Sequence, residues 1–195
     1  MNFPEGKYSV IYADPPWHFT TWSARGRGRT ADAWYDTMSL ADVKALPVAP
    51  LAASDCVLLL WAIDPMLHVA FDVIKAWGFT YKTVGFYWVK TNRDGSPFMG
   101  LGHWTRMNPE VCLLATRGHP RRLSASVRKL VTTPRRAHSQ KPDEVYDSIE
   151  TLITGPYLEL FARRTRPGWD SWGLEAGLTD KPVRRYRSDM AGVIT

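Results

Sequence analysis

The sequence predicts an α/β fold in which helices cover a sheet. Three runs of the 195-residue chain have the β-branched and aromatic content of strands: Tyr8–Ala13, Asp55–Ala62 and Thr80–Lys90. Between them lie two segments with the apolar spacing of helices, Leu40–Leu46 and the run that begins at Asp64. The order β, α, β, α, β is typical of a parallel sheet with covering helices. The length is sufficient for one domain with a substantial core.

The first predicted strand ends at the sequence Asp14-Pro15-Pro16-Trp17. Because two prolines can continue neither a helix nor a β-ladder, they stiffen the chain and present Asp14 at the carboxyl end of the strand. Open α/β sheets bind their ligands at that end. The proline nitrogens cannot donate, so the proline carbonyls are left as hydrogen-bond acceptors. We interpret this cluster as catalytic; its members are Asp14, Pro15, Pro16 and Trp17.

These four residues suit a planar substrate with an exocyclic amine. A carboxylate and a proline carbonyl accept the two amine hydrogens, while an indole stacks on the ring. The alternative is a rigid turn in which Asp14 caps a helix and Trp17 belongs to the core. Because proline makes up only about 5% of residues, the four together rarely arise by chance, which favours the functional interpretation.

The segment His18–Tyr35 follows this cluster and is polar and rich in Gly and Arg. Because it leaves the site directly, it is a candidate lid that orders on substrate binding. Its arginines, Arg25, Arg27 and Arg29, either meet phosphates or belong to a solvated loop, and the sequence does not separate these interpretations.

Capping residues and apolar spacing define the predicted helices. Ser39 is placed to cap the helix Leu40–Leu46, and Asp64 is placed to cap a helix that Gly78 ends. The continuous apolar run within Asp55–Ala62 is expected of a strand covered on both faces.

The second half of the chain continues the pattern without a domain boundary. Thr91–Asn108 is Gly-rich and irregular, Glu110–Thr116 is a predicted strand, and Asp143–Ile153 is a predicted amphipathic helix. A further strand is predicted over Tyr157–Ala162. We therefore predict one domain over residues 1–179, followed by a basic tail over 180–195 that is a candidate for disorder.

The charge of the chain favours a polyanionic partner. The net charge is +6 and the isoelectric point is about 9.4. No acid occurs from Val111 to Pro142, a stretch that we interpret as the lining of a groove for a nucleic-acid backbone. The alternative is a solvated basic face. The basic residues of the stretch are Arg117, Arg121, Arg122, Arg128, Lys129, Arg135, Arg136 and Lys141.

Several classes of protein are disfavoured by what the sequence lacks. Cys56 and Cys112 lie in apolar runs, so we expect buried free thiols and neither a disulfide framework nor a metal site. The amino terminus has no signal of a basic segment followed by an apolar one, and no apolar run reaches membrane-spanning length. We therefore expect a cytoplasmic protein without a membrane partner.

The motifs in their order resemble the MT-A70-like adenine-N6 methyltransferases. The resemblance runs from about Tyr8 to Glu175. It is carried by Ala13-Asp-Pro-Pro-Trp17, Trp34-Tyr-Asp-Thr-Met-Ser39, Trp88-Val-Lys-Thr-Asn92, Gly102-His-Trp104, His138-Ser-Gln-Lys-Pro-Asp-Glu144 and Leu158-Glu-Leu-Phe-Ala-Arg163.

The resemblance implies a Rossmann-like methyltransferase sheet with helices on both faces, which uses S-adenosyl-L-methionine. It also implies a permuted order, with the catalytic motif before the cofactor motif. Asp14 to Trp17 would hold the target adenine. The implied cofactor-binding residues are Asp14, Lys141, Glu159, Phe161, Arg163 and Gly173. The implied substrate-binding residues are Tyr35, Lys90, His103, Trp104 and Glu110.

Two departures from the family pattern affect the cofactor site. Phe161-Ala-Arg replaces a Phe-x-Gly sequence, and Leu174 replaces an Asn that commonly contacts the cofactor. Glu159 suits the cofactor ribose hydroxyls, or else it is an edge acid paired with Arg163. Lys141 suits the cofactor carboxylate, or else it is a solvated lysine.

The predicted function is adenine-N6 methylation of nucleic acid, with DNA favoured because the compact chain suits a free-standing enzyme. The reaction needs no nucleophilic side chain, because a sulfonium already activates the methyl group. Methylation of a cytosine ring carbon would instead need a Cys nucleophile, and neither cysteine has such a setting. The alternatives are the same reaction on RNA, a non-catalytic nucleic-acid binder, and methylation of a small molecule or a protein amine. A homodimer or a heterodimer stays open.

Overall fold

The computed structural model describes residues 3–18, 37–136 and 140–173 of the chain. The described strands form a seven-stranded sheet with the order β5-β3-β4-β2-β1-β6-β7. The strands are β1 (Tyr8–Ala13), β2 (Ala52–Ala62), β3 (Thr80–Thr91), β4 (Glu110–Arg117), β5 (Leu130–Pro134), β6 (Tyr157–Leu160) and β7 (Trp169–Trp172). The α-helices are α1 (Leu40–Ala45), α2 (Leu67–Ala76) and α3 (Asp143–Leu152).

The sheet is mixed, which corrects the expectation of a parallel sheet. β1 pairs in parallel with β2 and β6, and β6 with β7, but β4 runs antiparallel to both of its neighbours, β2 and β3. β5 is parallel to β3. The apolar pattern of a strand is the same whichever way the strand runs in the sheet, so the sequence could not predict the reversal of β4. We call the edge at which the six parallel strands end the carboxyl edge, and the opposite one the amino edge.

Helices cover both faces of the sheet, as the sequence predicted. Side chains of β1 alternate between two cores: Ile11 packs with the core beneath α1 and α2, and Tyr12 packs with the core beneath α3. Val73 of α2 and Ile149 of α3 are buried in these two cores. The α/β class and a sheet consistent with a Rossmann-like methyltransferase fold are therefore confirmed. The permuted motif order stays a prediction.

The helix termini agree with the sequence in one case and not in another. Ser39 caps α1, because its Oγ accepts from the backbone N–H of Asp42 at 3.1 Å. Asp64 does not cap α2: it begins a 3-10 turn, Asp64–Met66, and its side chain makes no capping hydrogen bond. The two-residue shift arises because Pro65 occupies the first turn of this 3-10 segment. Gly78 follows α2 with a φ of +81°, a conformation that favours glycine.

The sequence missed β5 and β7 and placed other boundaries within three residues. β6 ends at Leu160, two residues earlier than expected, because Phe161 takes a φ of +64° and leaves the strand. Both cysteines are buried free thiols, as expected. Among the described helices none is long and apolar enough to span a membrane.

Candidate active site

A chain of four alternating charges lies at the carboxyl edge. Lys141 Nζ lies 2.6 Å from Asp14 Oδ2 and 3.2 Å from Glu110 Oε2, and Lys90 Nζ contacts Glu110 Oε1. The side chains of Lys141 and Asp14 are 8% and 25% exposed. The alternative of a solvated Lys141 is therefore wrong. Four residues that the sequence assigned to the site lie together.

The antiparallel direction of β4 is what brings Glu110 into this chain. Glu110 is the first residue of β4, and a strand that begins at the carboxyl edge must run against its parallel neighbours. It pairs in register with Trp88 of β3. Asn108 fixes the approach to β4, because its amide accepts from the Lys90 N–H at 2.8 Å and donates to the Lys90 carbonyl at 3.0 Å. A β4 parallel to β2 would have placed Glu110 at the other edge.

The ammonium groups keep Glu110 ionised. Burial disfavours the charged form of Glu110, but Lys141 and Lys90 outweigh it and lower the pKa of Glu110 to about 2. Each ammonium also lies over an indole ring, Lys141 5.3 Å from the Trp61 centroid and Lys90 5.0 Å from the Trp88 centroid. The cluster therefore consists of paired opposite charges packed against two indole rings.

The Asp-Pro-Pro-Trp turn is rigid and largely buried. The Trp17 N–H donates to the Pro15 carbonyl at 2.8 Å, and the Met38 N–H donates to the Pro16 carbonyl at 2.9 Å. Each carbonyl oxygen has a second lone pair for another donor. Among the described residues Asp14 caps no helix: its carboxylate accepts from Lys141, and the next described helix is capped by Ser39.

The indole of Trp17 lies in the core. It is 4% exposed, and its Nε1 donates to the Trp61 carbonyl at 3.0 Å. In this respect the alternative interpretation, a core tryptophan in a stiff turn, is correct. Stacking of Trp17 on a substrate ring stays a prediction.

Glu159 of β6 is a buried carboxyl at the same edge. It is 8% exposed, and the Tyr146 hydroxyl donates to its Oε1 at 2.8 Å. Burial raises the pKa of Glu159 to about 7; the Tyr146 hydrogen bond opposes this rise, and the negative charge of Asp14 adds to it. A carboxyl that titrates near neutrality is typical of functional sites.

Two polar atoms beside each other fit a ligand that carries hydroxyl groups. Glu159 and Ser171 are paired residues of β6 and β7, so their side chains share a face of the sheet. Glu159 Oε2 and Ser171 Oγ are buried and have no hydrogen-bond partner among the described residues. Buried polar atoms in folded proteins rarely lack a hydrogen-bond partner. The ribose hydroxyls of S-adenosyl-L-methionine would satisfy them.

The ends of β6 and β7 approach each other closely. Ala162 N–H donates to the Trp172 carbonyl at 2.9 Å, and a Cβ on Gly173 would lie 2.3 Å from the Ala162 carbonyl oxygen. Gly173 is therefore required by packing, whatever its part in cofactor binding. Phe161 is 5% exposed and packs against Trp172 at 5.7 Å between ring centroids. Its side chain supports the strand ends from within the core.

Not every predicted residue joins the cluster. His103 and Trp104 lie in the β3–β4 loop, where Trp104 is 95% exposed with a φ of +66°. Their rings contact each other at 6.3 Å between centroids. The exposed fraction of Arg163 is intermediate, just after β6. Tyr35, Leu174 and the arginines of the 18–35 segment lie outside the described residues, as do His138 and Ser139 of the fifth motif.

Sequence reasoning missed Trp61, Tyr146 and Asn108 as parts of the site. Trp61 was visible as the one aromatic near the end of a continuous apolar strand. Tyr146 lay on the apolar face of α3, where an aromatic ordinarily belongs to the core. Asn108 had no signal, because a loop amide acquires its partners only when β3 and β4 come together.

The acid-free basic stretch is not confined to the site. Arg135 and Arg136 follow β5 at the carboxyl edge, whereas Arg117 ends β4 at the amino edge. The next loop also lies there, because the Leu123 N–H donates at 2.7 Å to the carbonyl of Leu152, the last residue of α3. The reversal of β4 makes the described part of the stretch run from one edge of the sheet to the other, and its interpretation as the lining of a groove for a nucleic-acid backbone stays a prediction.

Comparison with known proteins agrees with the motifs and the site. The MT-A70 family model matches residues 8–175. The type II methyltransferase M.MunI of Mycoplasma sp is 34% identical over 192 residues, which cover 89% of this chain and 80% of that protein. An N(6)-adenosine-methyltransferase MT-A70-like protein of Drosophila melanogaster is 33% identical over 178 residues, 86% of this chain and 27% of that protein.

The human relative is larger than this chain. The N(6)-adenosine-methyltransferase catalytic subunit METTL3 of Homo sapiens is 29% identical over 178 residues, 86% of this chain but 28% of that protein. The chain thus spans about a quarter of the length of the two animal relatives. Because the family model covers most of the chain, and four of its motif residues meet at one edge of the sheet, the chain belongs to the MT-A70 family.

Proposed function

We propose that this chain transfers a methyl group from S-adenosyl-L-methionine to the N6 amine of adenine in nucleic acid, with DNA as the favoured substrate. The observation that carries the proposal is the Asp14 carboxylate, held by Lys141 at the end of β1 beside a stiff double-proline turn. Membership of the MT-A70 family and relatives named as N(6)-adenosine-methyltransferases support it.

The chemistry asks for orientation and electrostatics. The adenine N6 lone pair is conjugated with the ring, and it must be turned towards the methyl group before it can attack. The Asp14 carboxylate and the Pro15 carbonyl accept the two amine hydrogens and so fix the direction of the nitrogen. Lys141 holds the Asp14 carboxylate in place. S-adenosyl-L-methionine supplies the methyl group already activated as a sulfonium.

The fit to the cofactor rests on the ends of β6 and β7. Glu159 and Ser171 would bind the ribose hydroxyls, and Lys141 would meet the carboxylate of the methionine part. Phe161, Arg163 and Gly173 complete the proposed set of cofactor residues. Lys90 and Glu110 are the proposed substrate-binding residues of the cluster. His103, Trp104 and Tyr35, the last of them outside the described residues, complete the proposed substrate-binding set.

DNA is favoured over RNA by the extent of the matches. The match with the type II methyltransferase covers 80% of that protein, against 27% and 28% of the two N(6)-adenosine-methyltransferases. A target base inside a duplex is out of reach, so the adenine flips out or the strand is single. Cytoplasmic location and a dimeric partner stay predictions.

The test is methyl transfer from labelled cofactor to matched DNA and RNA oligonucleotides, followed by nucleoside analysis. N6-methyladenine in DNA is the expected product; the same product in RNA alone would move the proposal to RNA. No transfer together with no cofactor binding would contradict the enzyme and leave a non-catalytic binder.

The variant that tests the mechanism is Asp14→Ala. We expect it to lose at least about a hundredfold in transfer rate, because an acceptor on the reacting amine is removed. Asp64→Ala is a matched control, since Asp64 also precedes a proline just beyond the carboxyl end of a strand, yet is exposed and outside the cluster. The melting temperature reports whether both variants keep the fold. Full activity of Asp14→Ala would contradict the mechanism.

A further inference from the structure

The loop between β3 and β4 presents a large aromatic side chain to solvent. Trp104 is 95% exposed and has a φ of +66°, and its ring contacts that of His103. A left-handed backbone at a bulky residue is rare, and so is the exposure of a whole indole. Neither packing nor backbone energy therefore favours Trp104 at this position. A residue held in such a conformation points to function rather than to folding.

The turn that carries Trp104 is braced by its own backbone. The Gly100 N–H donates to the Met107 carbonyl at 2.8 Å and closes the turn from both sides. Gly102 lies so near the opposite side of the turn that a Cβ there would lie 2.0 Å from the Thr105 carbonyl oxygen. A braced turn loses little conformational freedom when its exposed ring binds a ligand.

The base of the loop adjoins the candidate active site. The Phe98 N–H donates at 3.1 Å to the carbonyl of Lys90, whose ammonium contacts Glu110. In the strand order β3-β4-β2-β1-β6-β7, the loop and the proposed cofactor residues of β6 and β7 lie on opposite sides of Asp14. Three strand spacings separate β3 from β1, or about 14 Å. A ligand held by the loop therefore lies beside the target adenine and away from the cofactor.

The charges of the loop favour a nucleic acid as that ligand. No acid occurs between Asp94 and Glu110, whereas Arg106 follows Trp104 by two residues and is exposed. Every nucleobase has a flat face on which an indole can stack, and a neighbouring guanidinium suits the phosphates of the same strand. The combination of an exposed ring and an exposed cation is typical of surfaces that bind single strands.

We infer that Trp104 stacks on a nucleobase that flanks the target adenine, an inference that rests on the proposed function. The stacked base holds the strand while the adenine occupies the site at Asp14. Because the contact is made to the face of a base, it tolerates any sequence and adds affinity that the phosphates alone do not supply.

The experiment compares a random-sequence DNA 12-mer with an abasic strand of the same length, which keeps the phosphates and lacks the bases. A random-sequence RNA 12-mer is measured alongside. Fluorescence anisotropy gives the affinities of the wild type, Trp104→Ala and Trp104→Phe. The matched control is Phe71→Ala, which removes an aromatic side chain that is 40% exposed on α2, outside the loop.

We expect Trp104→Ala to bind the random-sequence DNA strand at least about fivefold more weakly, as when one stacking aromatic is removed. Its affinity for the abasic strand should equal that of the wild type, because the phosphates are unchanged. Trp104→Phe should recover most of the loss, since a benzene ring still stacks. Phe71→Ala should bind both strands as the wild type does.

The melting temperature separates this role from a structural one. Trp104→Gly should melt no lower than the wild type, because glycine adopts a positive φ without strain. The same variant should bind the random-sequence strand as weakly as Trp104→Ala does. A melting temperature more than about 5 °C below that of the wild type would assign Trp104 to the fold and overturn the inference.

Two binding results would also overturn the inference while the proposed function stands. One is an equal loss for the random-sequence and abasic strands, or a loss in Phe71→Ala as well. The other is unchanged binding by Trp104→Ala. If that variant also loses a dimer in light scattering, the loop, in which Met99 and Leu101 are exposed too, belongs to an interface between copies of the chain. A wild type that binds neither the DNA nor the RNA 12-mer would overturn the proposed function itself.

Discussion

Asp14, Lys141, Glu110 and Lys90 place two carboxylates and two ammoniums in alternation, so the cluster is neutral as a whole. That neutrality explains how four charged side chains are tolerated in a largely buried setting, because each charge has an opposite neighbour within contact. Lys141 contacts both carboxylates, which makes it the residue that couples the orientation of Asp14 to Glu110. Its exposed fraction, 8%, is the lowest of the four.

The raised pKa of Glu159 predicts an unusual pH dependence of stability. The pKa is about 7 in the folded protein against an ordinary 4.5, so the unfolded chain releases this proton first as the pH rises. The contribution of Glu159 to the free energy of unfolding is therefore smaller above pH 7 than at pH 4.5, by about 3 kcal/mol. Glu159→Gln stays neutral, so its melting temperature without cofactor should exceed that of the wild type at pH 8 and match it at pH 4.5.

Thermal unfolding from pH 4.5 to pH 8 checks this, with Glu5→Gln as the control at an exposed carboxyl remote from the site. A difference between wild type and Glu159→Gln that does not change with pH would contradict the assignment of the raised pKa to Glu159. A second readout is cofactor affinity, which should rise with pH through 7 in the wild type, because an ionised carboxylate is the better acceptor of ribose hydroxyls. Glu159→Gln should flatten that rise.

At the level of single residues, the sequence predicted the charged members of the site but not what surrounds them. Asp14 stands in a motif whose residue types are informative on their own, whereas Lys141, Glu110 and Lys90 were assigned through the family resemblance. The hydrogen bond from Tyr146 to Glu159 joins a helix to a strand 13 residues later, and nothing in the local pattern of α3 distinguishes a core tyrosine from one that contacts a carboxyl. Burial of Trp17 was one of two interpretations that the sequence allowed, and it could not choose between them because burial depends on the neighbouring β2 carbonyl.

Among the elements, the close approach of β6 and β7 gives a sharp steric prediction. In Gly173→Ala the new Cβ would meet backbone atoms of Ala162 at 2.3 Å and 2.5 Å, and backbone held by strand pairing cannot move aside cheaply. We expect a loss of about 3 kcal/mol in the free energy of unfolding and weaker cofactor binding. Denaturant unfolding and calorimetry measure the two effects.

The matched control is Gly168→Ala in the same segment. No atom lies within 4 Å of a Cβ there, so only the cost of the positive φ, about 1 kcal/mol, applies, and cofactor affinity should be kept. Equal stability and equal cofactor affinity in the two variants would show that the strand ends adjust, and that Gly173 is not required.

Strands and helices with strong periodicity were predicted well, and those defined by their neighbours were not. β1 and α3 contain their own signals, namely a β-branched aromatic run and an amphipathic face with acids in the first turn. β5 is short, follows two cations and ends in a proline, so the sequence contained no clear strand signal there, and its pairing with β3 was not predicted. The direction of β4 is a property of the pairing, and it is the feature that placed Glu110 in the site and Arg117 at the amino edge.

For the whole molecule, the reversal of β4 separates basic residues that are close in sequence. Arg135, Arg136 and Lys141 belong to the carboxyl edge, and Arg117 ends β4 at the amino edge. Arg136 is neutralised by Asp143 and Glu144 at the start of α3, so the charge near the site is lower than the sequence suggests. The basic side chains of the described residues are thus distributed over both edges of the sheet.

The extent of the domain is the remaining prediction at this scale. β7 ends at Trp172, and the family match ends at residue 175, so a chain that stops after Thr179 contains all seven strands that the structure describes. Removing residues 180–195 should change the free energy of unfolding by no more than about 0.5 kcal/mol, or about 1–2 °C in melting temperature. A chain that stops after Ala162 is the control: it lacks β7 and Gly173, and it should not unfold cooperatively.

The same truncation tests the charge of the tail. Loss of Lys181, Arg184, Arg185 and Arg187 should weaken nucleic-acid binding at low salt while cofactor affinity is kept. A fall of more than about 5 °C would place the tail within the domain instead.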